Sequence, residues 1–332
     1  MLKSFLYWIQ VILYVGRLFL WIQLERWKNP QKVFIGIAMD GDLGDMVASE
    51  PILPELAAKY HPVHITWICH PSYFPIFQFH PLVDRMWEQK FTLLTHILLR
   101  FNPFDHFFAL HLSDFRQDSV TKISIKNPKA DALNLRLDNY YNEHTLLEIA
   151  SQLADLGKLN KQPQLYLDQI PYSLPFEGAY WVIHTKSNNG MRDWRDDYWM
   201  SLLNFAMDTW SIQCVEIGQK NPLPFERPGF KSLVGKTSLI DSMKIIRGAS
   251  FFIGLDSGPT HMANAFKIPA LVICGEFANF KTYRSYSGAY QNPNVANILF
   301  NTNGKADGLS LETVKTALFD AVQKTQINLE KL

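Results

Sequence analysis

The sequence predicts an α/β protein with two doubly wound domains that face a cleft, preceded by an apolar N-terminal helix. Short apolar runs typical of buried parallel strands alternate with helical patterns over most of the 332 residues. Three prolines fall within residues 158–176, which we interpret as an interdomain linker. The predicted parts are therefore a helix, a first domain and a second domain, at residues 1–30, 31–165 and 166–332.

The composition is that of a folded, intracellular protein. Apolar residues make up 47% of the chain and charged residues 19%, which excludes a disordered chain. The formal net charge is +1 and no basic patch stands out, so nucleic acid is not an expected partner. Cys69, Cys214 and Cys274 lie far apart within or beside apolar runs, as expected for reduced core thiols in the cytoplasm.

Residues 4–24 are almost entirely apolar and predict a long helix. Lys3, Gln10 and Arg17 recur every seven residues, so they form one narrow polar stripe on that helix. Three interpretations remain open: a helix lying in the membrane surface, a helix spanning the membrane, and a helix docked on the protein. A spanning helix would place the charge of Arg17 near the middle of the bilayer, which is costly.

The first domain is predicted to begin with a buried strand at residues 32–38, followed by a turn rich in glycine and aspartate. A helical pattern continues from this turn through Tyr60. Asp45 stands near the helix start, where aspartate is a good cap. The acidic turn does not continue as an EF-hand loop, so no metal site is predicted. The other predicted elements are strands at 64–69, 83–87 and 106–111, an apolar helical segment at 91–101 and an amphipathic helix at 143–156.

Residues 251–275 organise the second domain. Two apolar runs of strand length, 251–253 and 270–273, enclose the turn Asp-Ser-Gly-Pro and a predicted helix at 259–267. A helix that begins at the carboxyl end of a parallel strand offers free N–H groups to an anion, at the edge where such sheets bind ligands. The other predicted elements are strands at 180–184 and 212–218, a polar loop at 185–193 and a helix at 309–323.

Four segments resemble motifs of glycosyltransferase family 9, the bacterial heptosyltransferase-like enzymes. The strongest is Asp-Ser-Gly-Pro-x-His-x-Ala at 256–263, with its lead-in at 235–239 and 246–249. The others are Gly-Asp-x-Val at 44–47, Pro-x-Val-Asp at 81–84, and the basic-x-Trp segment at 192–199. In the last segment Arg195 replaces the family's proline. The resemblance covers about residues 33 to 320 and leaves the N-terminal helix outside it.

The resemblance implies a GT-B architecture with two Rossmann-like domains, the nucleotide-sugar donor bound in the C-terminal one. It implies that Asp45 is the general base and that Gly44 and His261 support the site. It also implies that Arg192 binds the donor diphosphate. The planar guanidinium group of arginine suits this role because it can donate paired hydrogen bonds to phosphate oxygens. The further diphosphate candidates are Asp256, Ser257, Gly258, Thr260 and, more weakly, Lys186. Gln219 is a candidate contact to the nucleoside, and residues 276–291 a candidate contact to the nucleobase or the acceptor.

The reaction implied is inverting, metal-independent sugar transfer from a nucleotide diphosphate, without a cofactor. ADP-heptose and a lipopolysaccharide-core or other lipid-linked acceptor are the implied substrates, at the cytoplasmic face of the bacterial inner membrane. Other donor sugars and a non-catalytic, nucleotide-sugar-binding relative remain as alternatives. A Rossmann oxidoreductase is disfavoured, because Asp-Gly-Asp-Leu-Gly-Asp at 40–45 places carboxylates where G-x-G-x-x-G would meet a pyrophosphate.

Overall fold

The computed structural model describes residues 2–112, 116–169, 172, 174–276 and 282–329. Within it the chain divides into two units. Unit 1 consists of Met1–Asp42 and Ser49–Asn160, and unit 2 of Leu43–Ala48 and Lys161–Leu332. A six-residue segment from the first half of the sequence therefore belongs to the second unit.

The regular elements of the described residues alternate along the chain. The strands are β1 (Val33–Ala38), β2 (Val63–Cys69), β3 (Arg85–Glu88), β4 (His106–Ala109), β5 (Arg116–Gln117), β6 (Ser124–Ile125), β7 (Tyr180–His184), β8 (Gln213–Glu216), β9 (Phe230–Ser232), β10 (Phe251–Leu255), β11 (Ala270–Gly275) and β12 (Ala296–Asn301). The helices are α1 (Leu2–Lys28), α2 (Leu43–Ser49), α3 (Ile52–Tyr60), α4 (Phe74–Phe77), α5 (Leu93–Arg100), α6 (Pro128–Ala132), α7 (Leu146–Leu153), α8 (Asp196–Trp210), α9 (Leu239–Arg247), α10 (Gly258–Ala265) and α11 (Leu311–Leu329).

Unit 1 is built on a parallel sheet with the strand order β3-β2-β1-β4. The central strand β1 is buried from Phe34 to Ala38, as its continuous apolar sequence predicts. The turn after β1 carries Asp40 and Asp42 and leads to α2.

Helix α1 packs on unit 1 along one face. Leu18 and Ile22 are fully buried in a cluster with Phe34 of β1, and Val11 is buried in a neighbouring cluster with Phe91. Within the described residues, one helix has the length and composition to cross a membrane: Phe5–Lys28, with a mean hydropathy of 1.7 and 17% of its 18-residue window buried. The predicted long apolar helix is confirmed.

Unit 2 is built on a parallel sheet with the order β12-β11-β10-β7-β8-β9. Numbered within the unit, this order is 6-5-4-1-2-3, the strand order of the dinucleotide-binding doubly wound fold. Strand β7 coincides with the predicted strand, and its five residues are all buried. Trp194 and Trp199 are buried in the apolar cluster on this sheet. The three cysteines are free and buried, as predicted.

Two predicted helices differ from those observed. The helical pattern through Tyr60 is broken between α2 and α3, because Pro51 has no N–H to donate to the preceding turn. The helix predicted from residue 143 begins at Leu146 instead. A capping box fixes this start: the Thr145 side chain accepts from the Glu148 N–H at 3.2 Å, and the Glu148 carboxylate accepts from the Thr145 N–H at 2.8 Å.

Candidate functional site

The candidate site of unit 2 lies where its strand order reverses. Strands β7 and β10, the first and fourth of the unit, are neighbours, with His184 opposite Gly254. The connection after β7 leads toward one edge of the sheet, and the connection after β10 leads toward the other edge. Doubly wound sheets bind ligands at such a point, outside the carboxyl ends of the strands. Both the polar loop after β7 and the Asp-Ser-Gly-Pro turn after β10 emerge at this point.

The Asp-Ser-Gly-Pro turn at residues 256–259, called the signature turn below, leads directly into α10. Ser257, directly before the helix, is extended with φ −164° and ψ 173°, and its side chain does not cap the helix. Pro259 occupies the first turn, where a missing N–H is tolerated. The observed helix, Gly258–Ala265, starts one residue before the predicted one. The N–H groups of Ser257 and Gly258 stand at the positive end of the helix dipole, a geometry suited to phosphate oxygens.

His184 holds the side chain of Ser257. The Ser257 Oγ lies 3.1 Å from the Leu255 carbonyl oxygen, to which it donates, and 3.1 Å from Nδ1 of His184. Because the hydroxyl proton is used on Leu255, Nδ1 of His184 is the donor in the second bond. The sequence predicts His184 as the last residue of a strand and indicates no functional role for it. A polar residue ending a buried strand beside the signature turn was the signal that could have found it.

Thr260 stabilises the same turn with two hydrogen bonds. Its hydroxyl donates to the Leu255 carbonyl oxygen at 2.5 Å, and its N–H donates to the Ser257 carbonyl oxygen at 3.1 Å. The predicted N–H contact of Thr260 to a diphosphate would therefore have to replace a bond inside the turn. The other two predicted backbone donors, Ser257 and Gly258, precede it.

Arg192 lies beside the turn. It ends a short 3₁₀ turn, Gly190–Arg192, in the polar loop after β7. Its Nη1 donates to the main-chain oxygen of Asp256 at 3.1 Å and lies 3.9 Å from the Asp256 carboxylate. The fold therefore places Arg192 next to the Asp-Ser-Gly-Pro turn, and its contact with a diphosphate stays a prediction.

Asp256 is held from the opposite side by the segment after β11. Tyr286 donates to its Oδ1 at 2.5 Å, and Ser285 donates to the same oxygen at 3.5 Å. Burial, followed by the charge of Asp256, raises the pKa of Tyr286 well above its ordinary value, so Tyr286 remains a donor. Within the candidate contact segment 276–291, residues 277–281 lie outside the described residues. A small cavity adjoins this network, lined by Arg192, Asp256, Ile273, Cys274, Gly275, Tyr283 and Phe300.

The segment Leu43–Ala48 of unit 2 packs on the start of α10. A Cβ at Gly258 would lie 2.6 Å from Cδ2 of Leu43, and a Cβ at Gly44 would lie 2.8 Å from Cδ2 of His261. Both positions therefore need glycine for this close approach. Gly44 and His261, predicted to support the site from distant parts of the sequence, are in contact.

Asp45 follows Gly44 in the sequence. It is half-buried and lies in the first turn of α2. Because α2 already begins at Leu43, Asp45 lies inside the helix, and the residue preceding the helix is Asp42. A carboxylate in the first turn suits the positive end of the helix dipole, and both the capping role and the catalytic role of Asp45 stay predictions.

The two weaker candidates have different surroundings. Lys186 forms an ion pair with Asp196 at 2.5 Å, at the N-terminus of α8, so a diphosphate would compete with this carboxylate for the ammonium group. Gln219 is exposed beyond the carboxyl end of β8, the strand next to β7. Its position at this edge of the sheet is compatible with a nucleoside contact, which stays a prediction.

No metal-binding cluster is found in the part of the chain that the structure describes, where no group of three or more His, Cys, Asp or Glu could hold an ion. The expectation of a metal-independent reaction stays a prediction.

Two buried histidines of the site are neutral at pH 7. Burial lowers the pKa of His184 to about 4. Burial also lowers that of His261 to about 4, where nearby Arg192 adds to the effect and Asp256 opposes it. Unfolding would restore the ordinary pKa values near 6.5, so between pH 6.5 and 4 the unfolded chain binds more protons than the folded chain. The free energy of unfolding therefore decreases as the pH falls through this window.

We expect the free energy of unfolding to fall as the pH is lowered from 6.5 to 4, by about 3 kcal/mol for each of the two histidines. Urea unfolding at a series of pH values measures this slope. His184→Gln should flatten it, whereas His70→Gln, at an exposed position, should leave it unchanged. Equal slopes in the wild type and His184→Gln would contradict the assignment.

Comparison with known proteins shows what the residues around this site are similar to. Residues 147–306, which include β7, Arg192 and the signature turn, match the model of glycosyltransferase family 9 (heptosyltransferase). A search of curated protein sequences found no match.

Solved structures show the same fold over most of the chain. A glycosyl transferase family 9 protein from Veillonella parvula DSM 2008 matches with a TM-score of 0.64 and 14% identity, over 88% of this chain and 97% of that one. The ADP-heptose lipopolysaccharide heptosyltransferase II of E. coli matches with a TM-score of 0.63 and 17% identity, over 89% and 99%. The E. coli heptosyltransferase WaaC with ADP matches with a TM-score of 0.59 and 16% identity, over 88% and 99%.

The predicted fold is thus confirmed as GT-B-like. The match over residues 147–306, which carry the site, indicates a glycosyltransferase similar to the heptosyltransferases of family 9.

Proposed function

We propose that the chain transfers a sugar, with inversion and without a metal, from a nucleotide diphosphate to a lipid-linked glycan. Heptose from ADP-heptose is the first candidate donor, and lipopolysaccharide or another cell-surface glycan the acceptor. The observation that carries the proposal is the pairing of Arg192 with the uncapped start of α10: its Nη1 lies 3.1 Å from the Asp256 carbonyl oxygen at the switch point of the sheet.

On the donor side, this arrangement suits the charge that develops when a sugar leaves a diphosphate. The N–H groups of Ser257 and Gly258 and the guanidinium of Arg192 would meet the phosphate oxygens. His184 fixes Ser257, so these donors need little rearrangement during the reaction. Removing one such preorganised donor typically lowers turnover by roughly 10²–10³-fold.

On the acceptor side, Asp45 is the proposed base. The acceptor oxygen attacks the anomeric carbon while its proton passes to the Asp45 carboxylate. The bond from that carbon to the diphosphate oxygen breaks, and the nucleoside diphosphate leaves with the electron pair. The contact between Gly44 and His261 supports this role, because it fixes the residue preceding Asp45 against the start of α10.

The choice of ADP rests on the similar structures. WaaC of E. coli was solved with ADP, and the second E. coli protein is named for ADP-heptose. Those ligands belong to those proteins, and at 16–17% identity they support only a first candidate here. A different donor sugar keeps the same mechanism and changes the contacts around Gln219.

The proposed location is the cytoplasmic face of the bacterial inner membrane. Three buried, free thiols are compatible with a reducing compartment. The long apolar helix α1 is compatible with a membrane-bound acceptor.

A thermal-shift panel of ADP, UDP, GDP and CDP tests the proposed donor. We expect ADP to raise the unfolding temperature more than the other three, because a ligand that binds only the folded state stabilises it by mass action. AMP serves as the control, since it lacks the second phosphate and should produce a smaller shift.

A selective shift with UDP, GDP or CDP would contradict ADP as the donor nucleotide while keeping sugar transfer. A shift with ADP in a protein that shows no transfer from ADP-heptose or other ADP-sugars would favour the non-catalytic alternative.

A further inference from the structure

Helix α1 has two apolar faces, and unit 1 covers only one of them. The covered face carries Val11, Leu18 and Ile22, each with no exposed surface. Its polar groups are also engaged: the Tyr14 hydroxyl donates to the Glu88 carbonyl oxygen at 2.8 Å, and Arg26 pairs with Asp105 at 2.9 Å. The helix is therefore an integral part of unit 1.

The opposite face is exposed and apolar. Leu13 is 68% exposed and Trp27 is 82% exposed. At 100° per residue the exposed apolar side chains fall on an arc centred opposite the covered face. From the first to the last of them, the row extends over about 33 Å of helix. Its members are Phe5, Leu6, Ile9, Ile12, Leu13, Leu20, Leu24 and Trp27.

The charges beside this row are basic. Arg17 and the neighbouring Gln10 are exposed and form the polar stripe between the two apolar faces. Lys28 is exposed at the end of the helix. Glu25 is the only acidic residue in the sequence of α1, and it lies 2.9 Å from the Lys28 ammonium group. An apolar row with a basic border matches the acyl and headgroup layers of an anionic bilayer.

We propose that α1 binds the surface of an anionic lipid bilayer and lies in its plane, with the exposed apolar row in the acyl layer and unit 1 on the aqueous side. Spanning the bilayer would require Val11, Leu18 and Ile22 to leave the core of unit 1 and would place Arg17 in hydrocarbon. The in-plane position keeps these contacts and places Gln10 and Arg17 at headgroup level. Two of the three interpretations of the sequence are therefore combined in this proposal: the helix is docked on the protein, and it lies in the membrane surface.

Co-sedimentation of the full-length chain with vesicles tests this surface. We expect binding to vesicles of phosphatidylglycerol and phosphatidylethanolamine, reduced at least tenfold in the double variant Leu13→Glu/Leu20→Glu. Arg17→Gln should weaken binding to these vesicles by about fivefold, the contribution of one basic residue at an anionic surface. A double variant that binds as well as the wild type would overturn the proposal.

Gln78→Glu/Gln323→Glu is the matched control. It makes the same change in net charge at exposed positions outside α1, and it should bind vesicles as the wild type does. Both double variants should keep the nucleotide-induced thermal shift of the wild type, which shows that they are folded. Vesicle binding is read without any sugar transfer, so its failure is distinct from a failure of the proposed function.

Cysteine labelling tests the orientation. The three native cysteines are buried, so a membrane-impermeant maleimide should report on an introduced Gln10→Cys. We expect this cysteine to be labelled on vesicle-bound protein without detergent. Protection until detergent is added would indicate a spanning helix and overturn the in-plane position. A wild-type dimer that dissociates in Leu13→Glu/Leu20→Glu, together with no vesicle binding, would assign the row to a second copy of the chain and also overturn the proposal.

Discussion

Asp45→Asn is expected to lower the rate of sugar transfer by at least 10²-fold, within the roughly 10²–10⁴-fold range that a positioned general base contributes. The amide has nearly the shape of the carboxylate but cannot accept the proton of the acceptor hydroxyl. The affinity for the donor nucleotide should change little, since Asp45 is proposed to act on the acceptor. Initial rates of transfer and calorimetric titration with ADP measure the two quantities separately.

Asp42→Asn is the matched control for this variant. Asp42 is exposed in the same acidic turn and should tolerate the identical change with near wild-type turnover. A purely structural role of Asp45 in the first turn of α2 would lower the unfolding temperature of Asp45→Asn and leave the rate at low temperature intact. That result, or retained turnover at any temperature, would remove Asp45 as the base.

Arg192→Ala is expected to weaken ADP binding by roughly 10–100-fold, because a charge-assisted hydrogen bond contributes about 1.5–3 kcal/mol. Turnover should fall as well, since charge on the leaving diphosphate would be met by fewer donors. Arg192→Lys should recover part of the affinity, because it keeps the charge but not the planar fork. Titration calorimetry with ADP and with AMP measures the effect and its dependence on the second phosphate.

Arg195→Ala is the corresponding control. Arg195 lies three residues further along the same loop, is exposed, and pairs with Asp197 at 2.7 Å. Its removal changes the net charge identically and should leave ADP affinity near the wild-type value. Equal affinities in the wild type and Arg192→Ala would exclude Arg192 from the diphosphate site.

The sequence was most informative where a local pattern determines the local structure. Strand β7 and the start of α10 follow from continuous apolar runs and from turn chemistry at Asp256–Pro259, which act over a few residues. Arg192 could be placed near the turn only through its resemblance to a family motif. The structure now gives this placement a physical basis in the bond to the Asp256 carbonyl oxygen.

The remaining features depend on tertiary contacts that no local pattern contains. The bond between His184 and Ser257 joins residues 73 positions apart, and it exists because β7 and β10 are neighbours in the sheet. The contact of Gly44 with His261 depends in the same way on how a distant segment folds. For α1, periodicity located the polar stripe, but only packing shows which apolar face is covered. The start of α7 is different, since the Thr145–Glu148 capping box was readable in the sequence and was missed.

The assignment of Leu43–Ala48 to unit 2 limits how this protein can be divided or recombined. A fragment that begins at Lys161 would lack Leu43 against Gly258 and Gly44 against His261, and so would expose the start of α10. Exchange of residues 161–332 for those of a similar protein at one crossover point would join a foreign α10 to this segment. A working chimaera must therefore carry two separate stretches of sequence from the same parent.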